Sequence, residues 1–444
     1  MILNEKTVGV ISLGCDKNRV DTEKMLSIIG AKRLTNDLDE AEIVVVNSCA
    51  FLESARKEAL DTIFECDGYR KNGKLEKIVM TGCMPQKFVN DMFDELTEVD
   101  VFLGTNDYDL LPEAIEEAYK GNRVNYVGRE KKVFERKDRV ITTPLHYAYL
   151  KIADGCNNRC TYCLIPSIRG KYRSETMEDL VKEAEGLGDI AELILVAQDI
   201  TRYGEDLYGK PCLCELIRKL SALGNIGSIR LLYCYPDVIG DELIEEIASN
   251  DKVIKYIDIP LQHADDSVLK RMNRKGTRAE YLALIGKLRE KIPGIAIRST
   301  FIAGFPGETE ENFRNLVSFL KEAKLGNAGF FAYSREEGTP AYKLPDQVDE
   351  KTKNARVKEL YKVQKIISGE INRSYVGKTL KVLADGIDYD KNKFTGRAYF
   401  SAPDIDGKVY FDGDNVEQGK YYNVKIVRAN AYDLYGRMTD EFTE

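Results

Sequence analysis

Cys156, Cys160 and Cys163 lie in the run Asp154-Gly-Cys-Asn-Asn-Arg-Cys-Thr-Tyr-Cys-Leu-Ile-Pro166, with three and two residues between successive cysteines and no fourth cysteine nearby. A chain carrying this run must fold so that three thiols face one point. Three thiolates can hold three irons of a 4Fe-4S cube and leave the fourth iron open to a substrate or cofactor, as an open catalytic zinc site differs from a closed structural one. An electron-transfer ferredoxin would close the cube. Structural zinc would want a fourth Cys or His in register, and His146 and His263 are the only histidines in the sequence.

The spacing resembles that of the radical S-adenosylmethionine (SAM) superfamily. The resemblance implies that the open iron chelates the amino and carboxylate groups of SAM. One electron then cleaves the sulfonium to methionine and a 5′-deoxyadenosyl radical, which the protein places beside one C–H bond. The position of Tyr162 is the one that lies against the adenine in that superfamily, so Tyr162 is an implied SAM contact.

At 444 residues, 43% hydrophobic and 31% charged, the chain is long enough for about three domains. The start Met-Ile-Leu-Asn-Glu-Lys-Thr-Val lacks a basic region followed by an apolar stretch, and no segment approaches about 18 uninterrupted apolar residues. Neither export nor membrane spanning is expected. The ten cysteines are therefore read as reduced thiols available to metal in the cytoplasm.

A second cysteine set follows three apolar runs: Cys15 after Val8 to Gly14, Cys49 after Ile43 to Ser48, and Cys83 after Ile78 to Gly82. Each run reads as a short buried strand, and helical patterns follow at Arg19 to Ile29, Glu53 to Phe64 and Pro85 to Phe93. Strand-helix units of this kind form a parallel sheet with helices on both faces. All three cysteines would then lie at its carboxyl edge, where open α/β sheets gather ligands, although they are 34 residues apart each time. A single cysteine in such a place is more often a small buried hydrophobe. Three at equivalent strand ends, each in a Gly or Asn/Ser setting, point instead to ligation.

With both sets in hand, the chain is similar over essentially its full length to the methylthiotransferases, which join a three-cysteine N-terminal domain, a radical SAM core and a small TRAM domain. Ser12 to Asp21, Asn47 to Ala55, Glu337 to Ala341, Leu344 to Val348 and Gly396 to Gly407 resemble the branch that methylthiolates an aspartate of a small-subunit ribosomal protein. That branch usually has Pro at Asp16 and Thr at Ser48, neither of which needs to be a ligand. The resemblance implies two 4Fe-4S clusters, one on each cysteine set. It also implies two SAM per turnover, one for the radical and one for the methyl group, and an electron donor such as flavodoxin or ferredoxin.

Between the two ends, six strand-like runs alternate with helical patterns: Tyr147 to Ala153, Leu193 to Ala197, Ile229 to Cys234, Tyr256 to Pro260, Ala296 to Ala303 and Ala328 to Tyr333. Six units argue for a partial (β/α)6 barrel, with the cluster loop after its first strand at the C-terminal face. Gln198, Gln262 and Arg298 sit on or after strands of that barrel and are candidate SAM contacts. His263 and Asp199 also have structural readings, as a satisfied core histidine and as a loop cap before Tyr203-Gly204. Cys66, Cys212, Cys214 and Cys234 read as packing residues. No catalytic side chain is assigned beyond the clusters.

The fold class is thus α/β, with domains expected at 1–122, 145–371 and 372–444 and a charged linker at 123–144. Short strands at Thr379 to Ala384, Arg397 to Phe400, Lys408 to Phe411 and Tyr421 to Val427 suggest a small antiparallel barrel at the C-terminus. Residues 372–444 carry 11 Lys and Arg against 12 Asp and Glu, and the whole chain is −8. Phosphate binding needs concentrated positive charge, so this domain is expected to dock protein, and a tRNA substrate is disfavoured. Methylthiolation of a tRNA adenosine is the competing reading, and a non-catalytic iron-sulfur or RNA-binding protein is the third. The sequence leaves open the sulfur source, the physiological reductant, the substrate-positioning residues and the oligomeric state.

Overall fold

The computed structural model describes residues 2–30, 33–128 and 139–440. Residues 129–138 of the charged connection expected at 123–144 lie outside the described residues. Its last part, from Arg139, lies against the N-terminal domain: Thr142 donates its N–H and its hydroxyl to Glu23 Oε1, each at 2.8 Å.

The N-terminal sheet has six parallel strands, β1 (Val8–Ser12), β2 (Leu34–Thr35), β3 (Ile43–Ser48), β4 (Lys77–Gly82), β5 (Val101–Phe102) and β6 (Val124–Asn125), in the order β2-β1-β3-β4-β5-β6. Every residue of β3 is buried, as expected of a parallel strand covered on both faces. Helices α1 (Asp16–Ile29), α2 (Glu53–Asn72) and α3 (Cys83–Met92) follow β1, β3 and β4. They begin sooner or run longer than the apolar periodicity indicates. Cys15 is the N-cap of α1, and Cys83 is the first residue of α3. The sheet also continues past residue 122, to β6.

A second set of six parallel strands forms the partial barrel, in the order β14-β13-β12-β11-β10-β7: β7 (Tyr147–Lys151), β10 (Glu192–Val196), β11 (Ile229–Leu231), β12 (Val253–Asp258), β13 (Ala296–Ala303) and β14 (Asn327–Ala332). Burial alternates along β13. Ile297, Ser299, Phe301 and Ala303 face the helical layer, and Arg298, Thr300 and Ile302 face the lumen. A two-stranded hairpin, β8 (Ala153–Asp154) with β9 (Arg173–Ser174), frames the loop that carries Cys156, Cys160 and Cys163. Cys212, Cys214 and Cys234 join the barrel's apolar core, and Cys66 joins that of the N-terminal domain.

After the helix Glu350–Arg373 comes a closed five-stranded barrel of β15 (Thr379–Asp388), β16 (Lys393–Arg397), β17 (Val409–Asp412), β18 (Tyr421–Ala429) and β19 (Leu434–Met438). It is not wholly antiparallel, since β17 and β19 run parallel. A closed ring with an odd number of strands cannot alternate direction all the way round. The sequence reading misses β19, whose interior Gly436 looks like a break. A Cβ there would come within 2.4 Å of Val424 Cγ1 and 2.7 Å of the Lys425 carbonyl, so glycine permits the close crossing of β18.

The strand expected at Arg397 to Phe400 ends at Arg397. Residues 398–408 enter the large barrel instead, where its side chains take the polar groups a ladder would use. Arg230 donates to the Tyr399 carbonyl at 2.9 Å and Asn327 to that of Phe400 at 2.8 Å. No helix among the described residues is long and apolar enough to cross a membrane.

Candidate metal centres at the barrel mouth

In the N-terminal sheet the chain order reverses between β1 and β3. That switch point is where open α/β sheets leave a crevice beyond their strand ends. Cys15 and Cys49 follow these two strands, and Cys83 follows the next. A Cβ on Gly14 would fall 2.7 Å from Cys49 Cβ, which shows how closely the first two loops approach. Gly82, at φ 97°, turns the chain out of β4 where any side chain would strike Asn47 and Ser48. Cys15 is exposed, Cys49 half-buried and Cys83 buried, and a cleft of about 320 Å³ opens beside Cys15, Arg19 and Thr22.

Asn18, one turn into α1, ties these loops together. Its Nδ2 donates to the Leu13 carbonyl at 3.1 Å and the Ser48 carbonyl at 3.2 Å, while Oδ1 lies 3.7 Å from Cys83 Sγ. Burial pushes the Cys83 thiol up to about 12 against the pull of Arg169, with Cys15 and Cys49 adding repulsion. Cys49 is raised as well, first by burial. Ligation therefore needs cationic charge at the site, which a bound cluster brings, and it releases the thiol protons. The helix N-termini at Cys15 and Cys83 add positive dipole ends.

The second set sits at the C-terminal end of β7. The Asn158 N–H donates to Cys156 Sγ and the Ile165 N–H to Cys163 Sγ, both at 3.4 Å, and the Tyr235 hydroxyl lies 3.5 Å from Cys160 Sγ. Burial raises Cys156 to about 11 and Cys163 to about 12. Hydrogen bonds aimed at sulfur are what tune cluster thiolates. Among the described residues no three His, Cys, Asp or Glu side chains converge as the ligands of a single ion would.

Tyr162 packs against the apolar group of Val268, Met272, Phe305, Tyr333 and Ala341, within the wall next to Cys163. Gln198 donates to Asp154 Oδ1 at 3.2 Å, and its buried Oε1 has no hydrogen-bond partner among the described residues. Gln262, four residues past β12, holds φ 72°, a left-handed backbone rarely kept by a non-glycine residue. Arg298 is ion-paired with Asp258 at 2.9 Å and Asp406 at 3.4 Å. His263 is fully buried, accepting from the Asp265 N–H at 2.9 Å and lying 3.3 Å from Glu308 Oε2, as a core histidine would. Asp199 accepts from Asn158 Nδ2 at 2.8 Å and so anchors the cluster loop.

The polar residues joining the two centres are absent from the sequence reading. Lys151 is ion-paired with Asp21 and with Asp154, the latter at 3.4 Å, and Arg169 contacts both aspartates. Asp21 lies three residues after Asn18 on α1, so the two share a face, and that spacing next to Cys15 was the available signal. Tyr233, at φ 62°, reaches from the barrel to α1. Its hydroxyl lies 3.2 Å from Asp16 Oδ1, and its ring lies 3.3 Å from the Lys17 ammonium. Tyr233 thus borders one centre and Tyr235 the other.

Residues 7–104 match the Uncharacterized protein family UPF0004, 150–320 the Radical SAM superfamily and 376–439 the TRAM domain. Among solved structures, the radical SAM methyltransferase TsrM from Kitasatospora setae, with cobalamin and a [4Fe-4S] cluster bound, aligns at TM-score 0.54 and 15% identity, covering 86% of this chain and 81% of that one. The cobalamin-dependent radical enzyme OxsB aligns at TM-score 0.51 and 13% identity, covering 82% and 56%. Both show the fold. Ribosomal protein uS12 methylthiotransferases RimO are far closer in sequence. The one from Clostridium botulinum (strain Eklund 17B) is 46% identical over 98% of both chains, and the one from Clostridium tetani is 46% identical over the same shares. At that identity over nearly its whole length, this chain belongs to the RimO family of radical SAM methylthiotransferases.

Proposed function

We propose that this protein methylthiolates the β-carbon of an aspartate in ribosomal protein uS12, with Cys156, Cys160 and Cys163 holding a SAM-binding 4Fe-4S cluster and Cys15, Cys49 and Cys83 an auxiliary one. The observation that carries the reading is that one side chain, Arg169, ties the two three-cysteine sets together: it donates to Asn18 Oδ1 at 2.6 Å beside Cys83 and to Asp154 Oδ2 at 3.0 Å, two residues before Cys156. When bound, the first cluster supplies the electron that turns SAM into a carbon radical, and the second retains the sulfur to be transferred. A radical is required because the β-carbon of aspartate is too weakly acidic for a side-chain base.

The chain's own residues orient and shield. Asp199, through Asn158, and the Met272 carbonyl, which accepts from the Thr161 N–H at 3.0 Å, hold the cluster loop at two points between its cysteines. Gln198 offers an unpaired carbonyl oxygen to SAM, Gln262 a second polar contact and Tyr162 an aromatic wall. Arg298 joins them only on parting from Asp406. The C-terminal domain, with a net charge of −1 over residues 372–444, presents the protein substrate. The working place is the cytoplasm, with a flavodoxin or ferredoxin as electron donor.

Anaerobic reconstitution with iron, sulfide, reductant and SAM, followed by mass analysis of uS12 and of tRNA, tests the reading. The expected product is uS12 heavier by one SCH3 in place of one H, with tRNA unchanged. Methylthioadenosine in tRNA and unaltered uS12 would reject it.

A further inference from the structure

The N-terminal cysteine cup is closed by a residue of the other domain. Arg169 follows the short helix Ile165–Ile168, which packs on α3, and its side chain is 2% exposed. Nη2 donates to Asn18 Oδ1 at 2.6 Å and lies 3.6 Å from Cys83 Sγ. Nη1 donates to Asp21 Oδ2 at 3.1 Å and to the two Asp154 oxygens at 3.1 and 3.0 Å. Asn18 passes the grip on to the carbonyls of Leu13 and Ser48, beside Cys15 and Cys49. Asp154 precedes Cys156 by two residues, and Gly155 between them, at φ 78°, has no room for a side chain against the Lys171 carbonyl. One guanidinium therefore holds a thiol of the N-terminal centre and the base of the loop bearing the barrel centre.

We propose that Arg169 is a positioning residue of the auxiliary cluster: it fixes the Cys83 thiolate and raises that cluster's reduction potential, so that the N-terminal centre is completed by the barrel. The inference rests on the reading that Cys15, Cys49 and Cys83 hold a cluster. Reduction adds negative charge, and an N–H donor with positive charge beside a ligand sulfur stabilises the reduced form more than the oxidised one. Only a planar fork can serve Asn18, Cys83 and two carboxylates together. Lysine would keep the charge but not the geometry.

The test uses full-length protein with Cys156, Cys160 and Cys163 replaced by alanine, so that any iron reports the N-terminal centre alone. Iron content, the electron paramagnetic resonance signal of the reduced cluster and its midpoint potential are compared with Arg169 intact, in R169Q and in R169K. The expected result is a more negative midpoint in both, further in R169Q, with an altered signal. R169K keeps the buried cation and decides the matter should R169Q fail to fold. An iron-replete, folded R169K with the parent's midpoint and signal overturns the role of Arg169 and leaves the cluster reading standing. Absence of iron with Arg169 intact removes the cluster reading and this inference with it.

Discussion

The Tyr256 hydroxyl donates to Asp406 Oδ2 at 2.7 Å, linking the lumen of the large barrel to a loop of the small one. Asp406 also accepts from the Ala402 N–H at 2.9 Å, and Ala402 is buried among Tyr149, Ile194, Val196 and Leu232. The C-terminal domain thus fills part of the barrel interior, entering past the N-terminal ends of the strands, where Glu192 and Asn327 hold Arg397 and the Phe400 carbonyl. Beside it, Glu192 bridges two buried arginines, with Arg230 Nε at 2.5 Å and Arg397 Nη1 at 2.6 Å. Burial raises the Glu192 carboxyl, but the two guanidinium groups outweigh it and hold it below the usual carboxylate range.

Glu192→Ala leaves two buried cations without their shared partner. Removing one member of a buried ion pair costs about 3–5 kcal/mol, so chemical denaturation should show a loss of that order. A chain ending at residue 371 should melt below the full-length protein for the same reason, with Arg230 and Arg298 stripped of Tyr399 and Asp406. A Glu192→Ala protein within about 1 kcal/mol of the parent would mean that the network is solvated and contributes little.

The two cysteine sets should be separable. Replacing Cys15, Cys49 and Cys83 with alanine, or Cys156, Cys160 and Cys163, should each leave about half of the parent's iron, because alanine supplies no thiolate. SAM cleavage should vanish in the second protein and persist in the first. The reverse pattern would show that the roles of the two centres have been exchanged.

How much of this was legible follows from what kind of interaction positions each residue. The placement of Cys15, Cys49 and Cys83 just after β1, β3 and β4 and the six-stranded barrel are readable because strand periodicity is a local property of the chain. Arg169, Asn18, Asp21 and Lys151 are not, because each works through a partner between 29 and 151 residues away, and a lone buried Arg or Lys leaves no periodic mark. The strand expected at Arg397 to Phe400 stops short at Arg397 for a related reason. The strand-like composition of 398–408 is overridden by Arg230, Asn327 and Tyr256, which claim its polar groups. Arg298 lies on β13 as its strand pattern indicates, but its ion pair with Asp258 joins residues 40 apart and leaves no mark in the local pattern.

Asn18→Leu should disturb the N-terminal centre selectively. The substitution keeps similar bulk but removes the donors to the Leu13 and Ser48 carbonyls and the acceptor for Arg169. Leaving buried polar groups unpaired costs about 1–3 kcal/mol each. Iron at the N-terminal centre should fall while SAM cleavage at the barrel is retained. Full iron at both centres in this variant would show that the cysteine loops hold themselves.

Substrate choice gives the last test, since it follows from charge. A domain that neutralised several tRNA phosphates would release their counterions and lose orders of magnitude of affinity between about 50 and 200 mM salt. The C-terminal domain carries 11 basic against 12 acidic residues over 372–444, and its arginines at 397 and 428 are occupied, the first by Glu192 and Asp385, the second over the Tyr435 ring at 4.0 Å. Binding to uS12, measured by titration across that salt range, should therefore change only modestly, and tRNA should not compete. Steeply salt-dependent binding of tRNA that displaces uS12 would place the substrate among nucleic acids and reassign the domain's role.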